Sequence, residues 1–184
     1  MVCKILLVSL NNPREYFYTR HNAGAWWLKY FCFINNVFLF MDYLTNSYYY
    51  KIIPFKGKCL HILEPNVYMN NNGKIIYDYI CKHDISFKNI IVVHDDLDLN
   101  LGMIKLSYKI DNLCHNGIRS VVDFFKFNTF YRLRIGLGKP KYVQNVSNYV
   151  LGVPSKKEFD SYFRCIKNSF FYIDDILNFS FSNF

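Results

Sequence analysis

NIIVVHDD, residues 89–96, sets four consecutive β-branched residues between an asparagine and a pair of aspartates. A strand with one wet face alternates apolar and polar residues, whereas a run that is apolar throughout and only this long reads as a strand buried on both faces. CKILLVSL (3–10) has the same character and stops at the turn-like Asn11-Asn12-Pro13. YYYKIIPF (48–55) and KCLHILEP (58–65) flank Lys56-Gly57 in the manner of a hairpin, and Gly102 to Lys109 with YRLRIGLG (131–138) complete the strand set. Helical spacing lies between them: Trp27, Tyr30, Phe31 and Ile34; then Ile76, Tyr79 and Ile80; then Ile118, Val121, Val122 and Phe125. Ser155 with Glu158 forms a capping box ahead of a stripe through Phe159, Tyr162, Phe163, Ile166, Phe170, Ile173 and Leu177, which predicts a helix over about 155–178. Strands alternating with helices, without repeats or a linker, predict one α/β domain over 1–184.

Composition narrows the function classes. The 184 residues can bury a core without staples. The six cysteines (3, 32, 59, 81, 114, 165) form no C-x-x-C pair, as expected of reduced thiols in the cytoplasm. No leader-like segment opens the sequence, and the most apolar stretch, Trp26 to Leu44, is broken by Lys29, Asn35, Asn36 and Asp42, so no membrane span is expected. A net charge of +8 favours a polyanionic partner, although a lysine-rich drift in composition would give the same number.

Chemistry in such folds gathers beyond the carboxyl ends of strands. Polar clusters fall there at Asn12, at His94 to Asp98 and at His115 to Gly117, joined by His21-Asn22 and by Tyr68 to Gly73. Each also has a plain structural use. Asn22 or Asn116 could cap the helix that follows it, with His21 an ordinary surface residue; Asn12-Pro13 could be only a turn; Met69 could be core. Asp95, Asp96 and Asp98 could be a solvated turn or a divalent-cation site. His61, His83 and His94 receive no role.

VSLNNPREYFYTRHNAGAWW, EPNVYMNNNGK, VVHDDLDLNLGMIKL, HNGIRSV, FYRLRIGLGKP and YVLG, in this order and at these separations, resemble bacterial peptidyl-tRNA hydrolases over roughly Lys4 to Gly152. The resemblance implies a monomeric, three-layer α/β domain with a mixed, twisted sheet flanked by helices, needing no metal or cofactor. It implies hydrolysis of the ester that joins the peptide to the terminal ribose of tRNA. His21 would be the general base, Asp95 its orienting partner, and Asn12 would stand beside the scissile ester. Tyr16, Tyr68, Met69, Asn70, His115 and Asn116 would contact substrate, and Lys105, Lys109 and Arg134 the tRNA, Arg134 at its 5′ phosphate. A non-catalytic RNA-binding protein of the same fold is the alternative, and a metal-dependent hydrolase using the three aspartates a weaker one.

The sequence departs from the family in three places. Ser9 and Asn11 replace glycines of the first loop, and Arg14 the glycine after its proline. Lys109 to Cys114 replaces a glycine-rich lid. Ser107 stands where a lysine or arginine is usual, and strand alternation would place Lys109 on the same side as its substitute.

Overall fold

The computed structural model describes residues 2–109, 113–140 and 146–170. Among the described residues seven strands form: β1 (Lys4–Ser9), β2 (Phe40–Met41), β3 (Tyr48–Phe55), β4 (Lys58–Pro65), β5 (Ile90–Asp96), β6 (Ile104–Lys109) and β7 (Thr129–Gly136). They make a single sheet in the order β2-β3-β4-β1-β5-β7-β6. β1 runs parallel to β4 and β5, and β5 parallel to β7, while β2, β3 and β6 pair antiparallel with their neighbours, so the sheet is mixed. The β3–β4 hairpin turns at Lys56 and Gly57, both with positive φ (48° and 75°), the pair of left-handed residues that a tight hairpin needs.

The absence of alternation in β1 and β5 follows from two cores. Ile5, Leu7, Ile91 and Val93 pack under Trp27, Phe31, Tyr162 and Ile166 on one face. Leu6, Val8, Ile90 and Val92 pack under Ile76, Tyr79, Ile118 and Val121 on the other. The helices that supply these side chains are α1 (Ala23–Ile34), α2 (Asn72–His83), α3 (Asn116–Phe125) and α5 (Lys156–Ser169), with a short α4 (Val146–Val150) between the last two. Trp27 stacks on Phe31 and Phe170 and donates its indole N–H to Ser169 Oγ (2.8 Å), fixing α5 against α1. The capping box of Ser155 and Glu158 starts α5 as expected; positions 171–178 of the expected helix lie outside the described residues.

Two expectations about helix starts need correction. Asn22 occupies the position before α1, but its side chain does not cap: Oδ1 accepts from the Asn12 N–H (2.8 Å) and Nδ2 donates to the Asn12 carbonyl (3.1 Å). α3 is capped by His115 rather than Asn116, His115 Nδ1 accepting from the N–H groups of Gly117 and Ile118 (3.1 and 3.2 Å). An imidazole acceptor does the work usually given to a short oxygen side chain.

The first loop is held in the same way from its other flank. Asn72 Oδ1 accepts from the Asn11 N–H (3.1 Å), and its Nδ2 donates to the Asn11 carbonyl (2.9 Å) and the Tyr68 carbonyl (3.1 Å). Two side-chain amides thus grip successive residues as a neighbouring strand would. None of Ser9, Asn11 and Arg14 has positive φ, so replacing the family's glycines there carries no backbone strain.

α2 and α3 meet closely at Gly73, where an added Cβ would lie 2.1 Å from the Ser120 carbonyl oxygen. Ser120 Oγ also accepts from the Gly73 N–H (3.0 Å) and donates to the Asn70 carbonyl (2.7 Å). Gly73→Ala must therefore part the helices, at a cost of roughly 2 kcal/mol and about 4 to 8 °C in Tm. Thermal unfolding of the variant checks this, and an unchanged Tm would show that the contact relaxes freely.

Candidate active site

β5 delivers Asp95 to the centre of the carboxyl edge of the sheet, where its carboxylate is almost wholly buried. The one-turn helix Arg20–Asn22 brings His21 to it from the α1 side, Nδ1 lying 3.1 and 3.0 Å from the two oxygens. From the α3 side, His115 Nε2 lies 3.1 Å from Oδ1. The tautomers follow from the partners. His115 Nδ1 accepts two backbone N–H groups, so its proton is on Nε2 and is donated to Asp95. His21 donates from Nδ1, which leaves a lone pair on Nε2.

Electrostatics favour the same arrangement. Burial pushes the His21 pKa down, but the charge and hydrogen bond of Asp95 outweigh it, and the net shift is upward from 6.5. Burial opposes ionisation of Asp95, yet His21 and His115 hold the carboxyl well below the usual range. His94 is fully buried behind His115, with ring centroids 4.9 Å apart, and burial, joined by His115 and Arg132, pushes its pKa well below 6.5 against the attraction of Asp95.

A cleft of about 1090 Å³ opens over these groups. Asn12, Tyr68, Met69, Asn70, Asn116 and Arg134 line it together with His21, Asp95 and His115. Asn12 Oδ1 accepts from the Met69 N–H (3.0 Å), which assigns the amide and leaves Nδ2 as a buried donor with no partner among the described residues. Tyr16 is absent from the lining and instead packs edge-on against Tyr68 at 6.1 Å.

The basic residues fall differently from the sequence expectation. Arg134 donates from Nε to Asp96 Oδ2 (2.7 Å) and from Nη1 to Ser107 Oγ (3.4 Å). Lys105 is its direct cross-strand partner and is exposed. Lys109 is not among the residues lining the cleft; a register shift between Ser107 and Lys109 pairs it with Thr129, and its carbonyl accepts from Arg132. The extra residue is on β7, which takes three steps from Arg132 to Thr129 against two from Ser107 to Lys109, so the two positions meet different neighbours across the pair. Residues 110–112 of the altered lid lie outside the described residues.

The donors present do not suit a cation. His21, Asp95 and His115 bring one possible ligand atom each within 4.8 Å of one another. His115 Nε2 carries its proton, however, and both histidines are committed to the carboxylate. Asp96 turns to Arg134 and Asp98 to Lys139 (3.0 Å), so the three aspartates do not converge as a shared cation site would require.

Sequence reasoning missed His94, Arg132 and Lys139 in the cleft, and the wall made by Val146, Ser147, Val150 and Leu151. It also left Arg20 without a role. The two basic residues of YRLR, spaced two apart and so on one side of a strand, were the available signal for Arg132.

The sequence matches the peptidyl-tRNA hydrolase family over residues 6–182. The chain belongs to that family. It is 37% identical over 167 residues to the peptidyl-tRNA hydrolase of Wigglesworthia glossinidia brevipalpis, covering 83% of this chain and 81% of the relative. With the peptidyl-tRNA hydrolase of Buchnera aphidicola subsp. Acyrthosiphon pisum (strain 5A) it shares 36% over 160 residues, 83% and 87% of the two chains. The crystal structure of peptidyl-tRNA hydrolase from Acinetobacter baumannii superposes with a TM-score of 0.87 at 30% identity, covering 95% of this chain and 88% of that one. Members of the family are hydrolases, and this chain is an enzyme of that kind.

The raised His21 pKa has a defined sign. Stability from the His21–Asp95 pair is complete below the unfolded pKa of His, about 6.5, and is lost as pH rises through the higher folded value. In an NMR titration the His21 ring should titrate above 6.5 in the wild type. In Asp95→Asn it should titrate below 6.5, because burial remains while the attraction is gone. A midpoint that does not move would remove Asp95 as the group that sets it.

Proposed function

We propose that this cleft hydrolyses the ester joining a peptide to the terminal ribose of tRNA in peptidyl-tRNA, with His21 as general base. The observation that carries the assignment is the pairing of two unused groups in one cleft: the lone pair of His21 Nε2 and the orphan donor Asn12 Nδ2. His21 Nε2 takes a proton from water as the water oxygen adds to the ester carbonyl. Asp95 stabilises the imidazolium that forms. Asn12 Nδ2 donates to the developing oxyanion, a hydrogen bond whose absence costs a buried donor about 1–3 kcal/mol. The imidazolium then returns the proton to the leaving ribose oxygen. Nothing in this sequence of steps calls on a metal or cofactor.

Asn70 and Asn116, both exposed at the rim, offer uncharged amides to the peptide backbone, and Met69 with Tyr68 offers an adaptable apolar wall. Tyr16 supports Tyr68. Arg134, with Lys105 directly across from it, supplies cations for the 5′ phosphate, and Lys109 is set apart from them. The sheet and its two cores support a single domain, and the free thiols support a reducing cytoplasm; the enzyme is taken to act as a monomer. Among the described residues no helix is long and apolar enough to cross a membrane. A purely RNA-binding role is not favoured, since binding alone has no use for a buried imidazole–carboxylate pair beside an orphan donor.

Release of peptide from purified peptidyl-tRNA tests the assignment. His21→Ala should lower the rate by at least about 10²-fold, the scale of a lost general base, and should bind tRNA nearly as well as the wild type. Undiminished turnover would dismiss His21 from the chemistry. For the cations, Lys105→Ala should weaken tRNA binding and reduce the log-log salt slope by roughly 0.7 to 0.9, whereas Lys109→Ala should do neither. The opposite ranking would return the substitute role to Lys109.

A further inference from the structure

Arg20 precedes His21 and takes no part in the steps above, yet its side chain is only 11% exposed. Nε and Nη2 lie 3.2 and 2.9 Å from Glu158 Oε1, and Nη2 lies 2.9 Å from Oε2. Nη1 donates to the Tyr149 carbonyl (3.1 Å), and the guanidinium sits 4.4 Å over the Tyr149 ring. The Arg20 backbone N–H donates to the Gly152 carbonyl (3.1 Å). A Cβ on Gly152 would stand 3.0 Å from Nη1, so that backbone lies against the guanidinium with no room to spare.

One side chain therefore joins three pieces of chain: the turn of His21, the start of α5 and residues 146–152. The last of these supplies Val146, Ser147, Val150 and Leu151 to the cleft wall. Glu158 cannot swing away, because Oε2 also accepts from Ser155 N–H and Oγ (2.7 Å each). Tyr149 is held at its far end too, its hydroxyl donating to the Leu137 carbonyl (2.9 Å). Mere adhesion would be better served by apolar packing, since a buried ion pair gives back little beyond its desolvation cost. What a planar fork adds is fixed distance and angle.

We propose that Arg20 is a positioning residue that locks the 146–152 wall to the turn carrying His21, so that the surface facing the substrate and the base keep one separation. This rests on the hydrolase assignment with His21 as base. Displacing a base or a wall by a fraction of an ångström lowers turnover without unfolding anything.

Three variants of the full chain separate positioning from simple support. Arg20→Lys keeps the charge but cannot form the fork and reach Tyr149 together. Glu158→Gln keeps an acceptor but removes the charge. Ser169→Ala removes the hydrogen bond by which Trp27 holds α5 to α1 while leaving every Arg20 contact in place. Well below their unfolding temperatures, the first two should show kcat reduced on the order of tenfold and KM raised, while Ser169→Ala loses Tm with kcat and KM unchanged. Wild-type constants in folded Arg20→Lys would overturn the proposal, as would equal kinetic losses in Ser169→Ala. Failure of the hydrolase assignment is distinct, since the wild type itself would then release no peptide.

Discussion

A carboxylate shut away from water at the end of a central strand must be paired, and the partners of Asp95 come from opposite layers of the molecule. His21 reaches it from the turn before α1, which packs on one face of the sheet, and His115 from the turn before α3, which packs on the other. Removing either leaves a buried charge short of a donor, which is far more costly than the loss of a surface contact. The site is therefore where the two layers are registered against each other. His115 does two things at once, since the nitrogen that caps α3 fixes the proton on the nitrogen that faces Asp95. The His21 ring is thereby tied to a helix terminus three hydrogen bonds away.

Much of this was legible in the sequence where a local rule decides the outcome. The doubly buried strands, the turn at Lys56-Gly57 and the box of Ser155 and Glu158 are each set by residues within a few positions of one another. His21 and Asp95 were legible through resemblance, and the structure brings them together. What stayed hidden depends on partners distant in sequence. Asn22 looks like a cap because caps are local, but the Asn12 backbone ten residues earlier presents both a donor and an acceptor to it. Lys109 looked like a substitute for Ser107 because both lie on one strand, but the extra residue that changes its neighbours lies on the partner strand β7. Arg20 has its partners at Tyr149 and Glu158, more than a hundred residues away.

The first loop shows how a family feature can be replaced without loss of shape. Asn72 and Asn22 each satisfy both backbone groups of one loop residue, which confines Asn11 and Asn12 from either side. The confinement also aims the Asn12 side chain, because Met69 N–H takes its oxygen and leaves the amine over. Loop geometry and the unused Asn12 amine are consequently products of the same set of amide pairs, and α2 belongs to the cleft through Asn72 as much as through its neighbours Met69 and Asn70.

The strand that carries Lys105 and Lys109 is also an outer edge of the sheet, and its open hydrogen-bonding groups invite another strand to add. At the opposite edge β2 is only two residues long, too short to serve as a template. β6 offers six residues, and there the two exposed lysines and the irregular pairing stand against edge-to-edge association. In a chain with 18 phenylalanines and 16 tyrosines, that protection matters. Lys105, to which the proposed function gives the tRNA, thus also stands with Lys109 against a second copy of the sheet, so a change at that position would bear on association as well as on affinity.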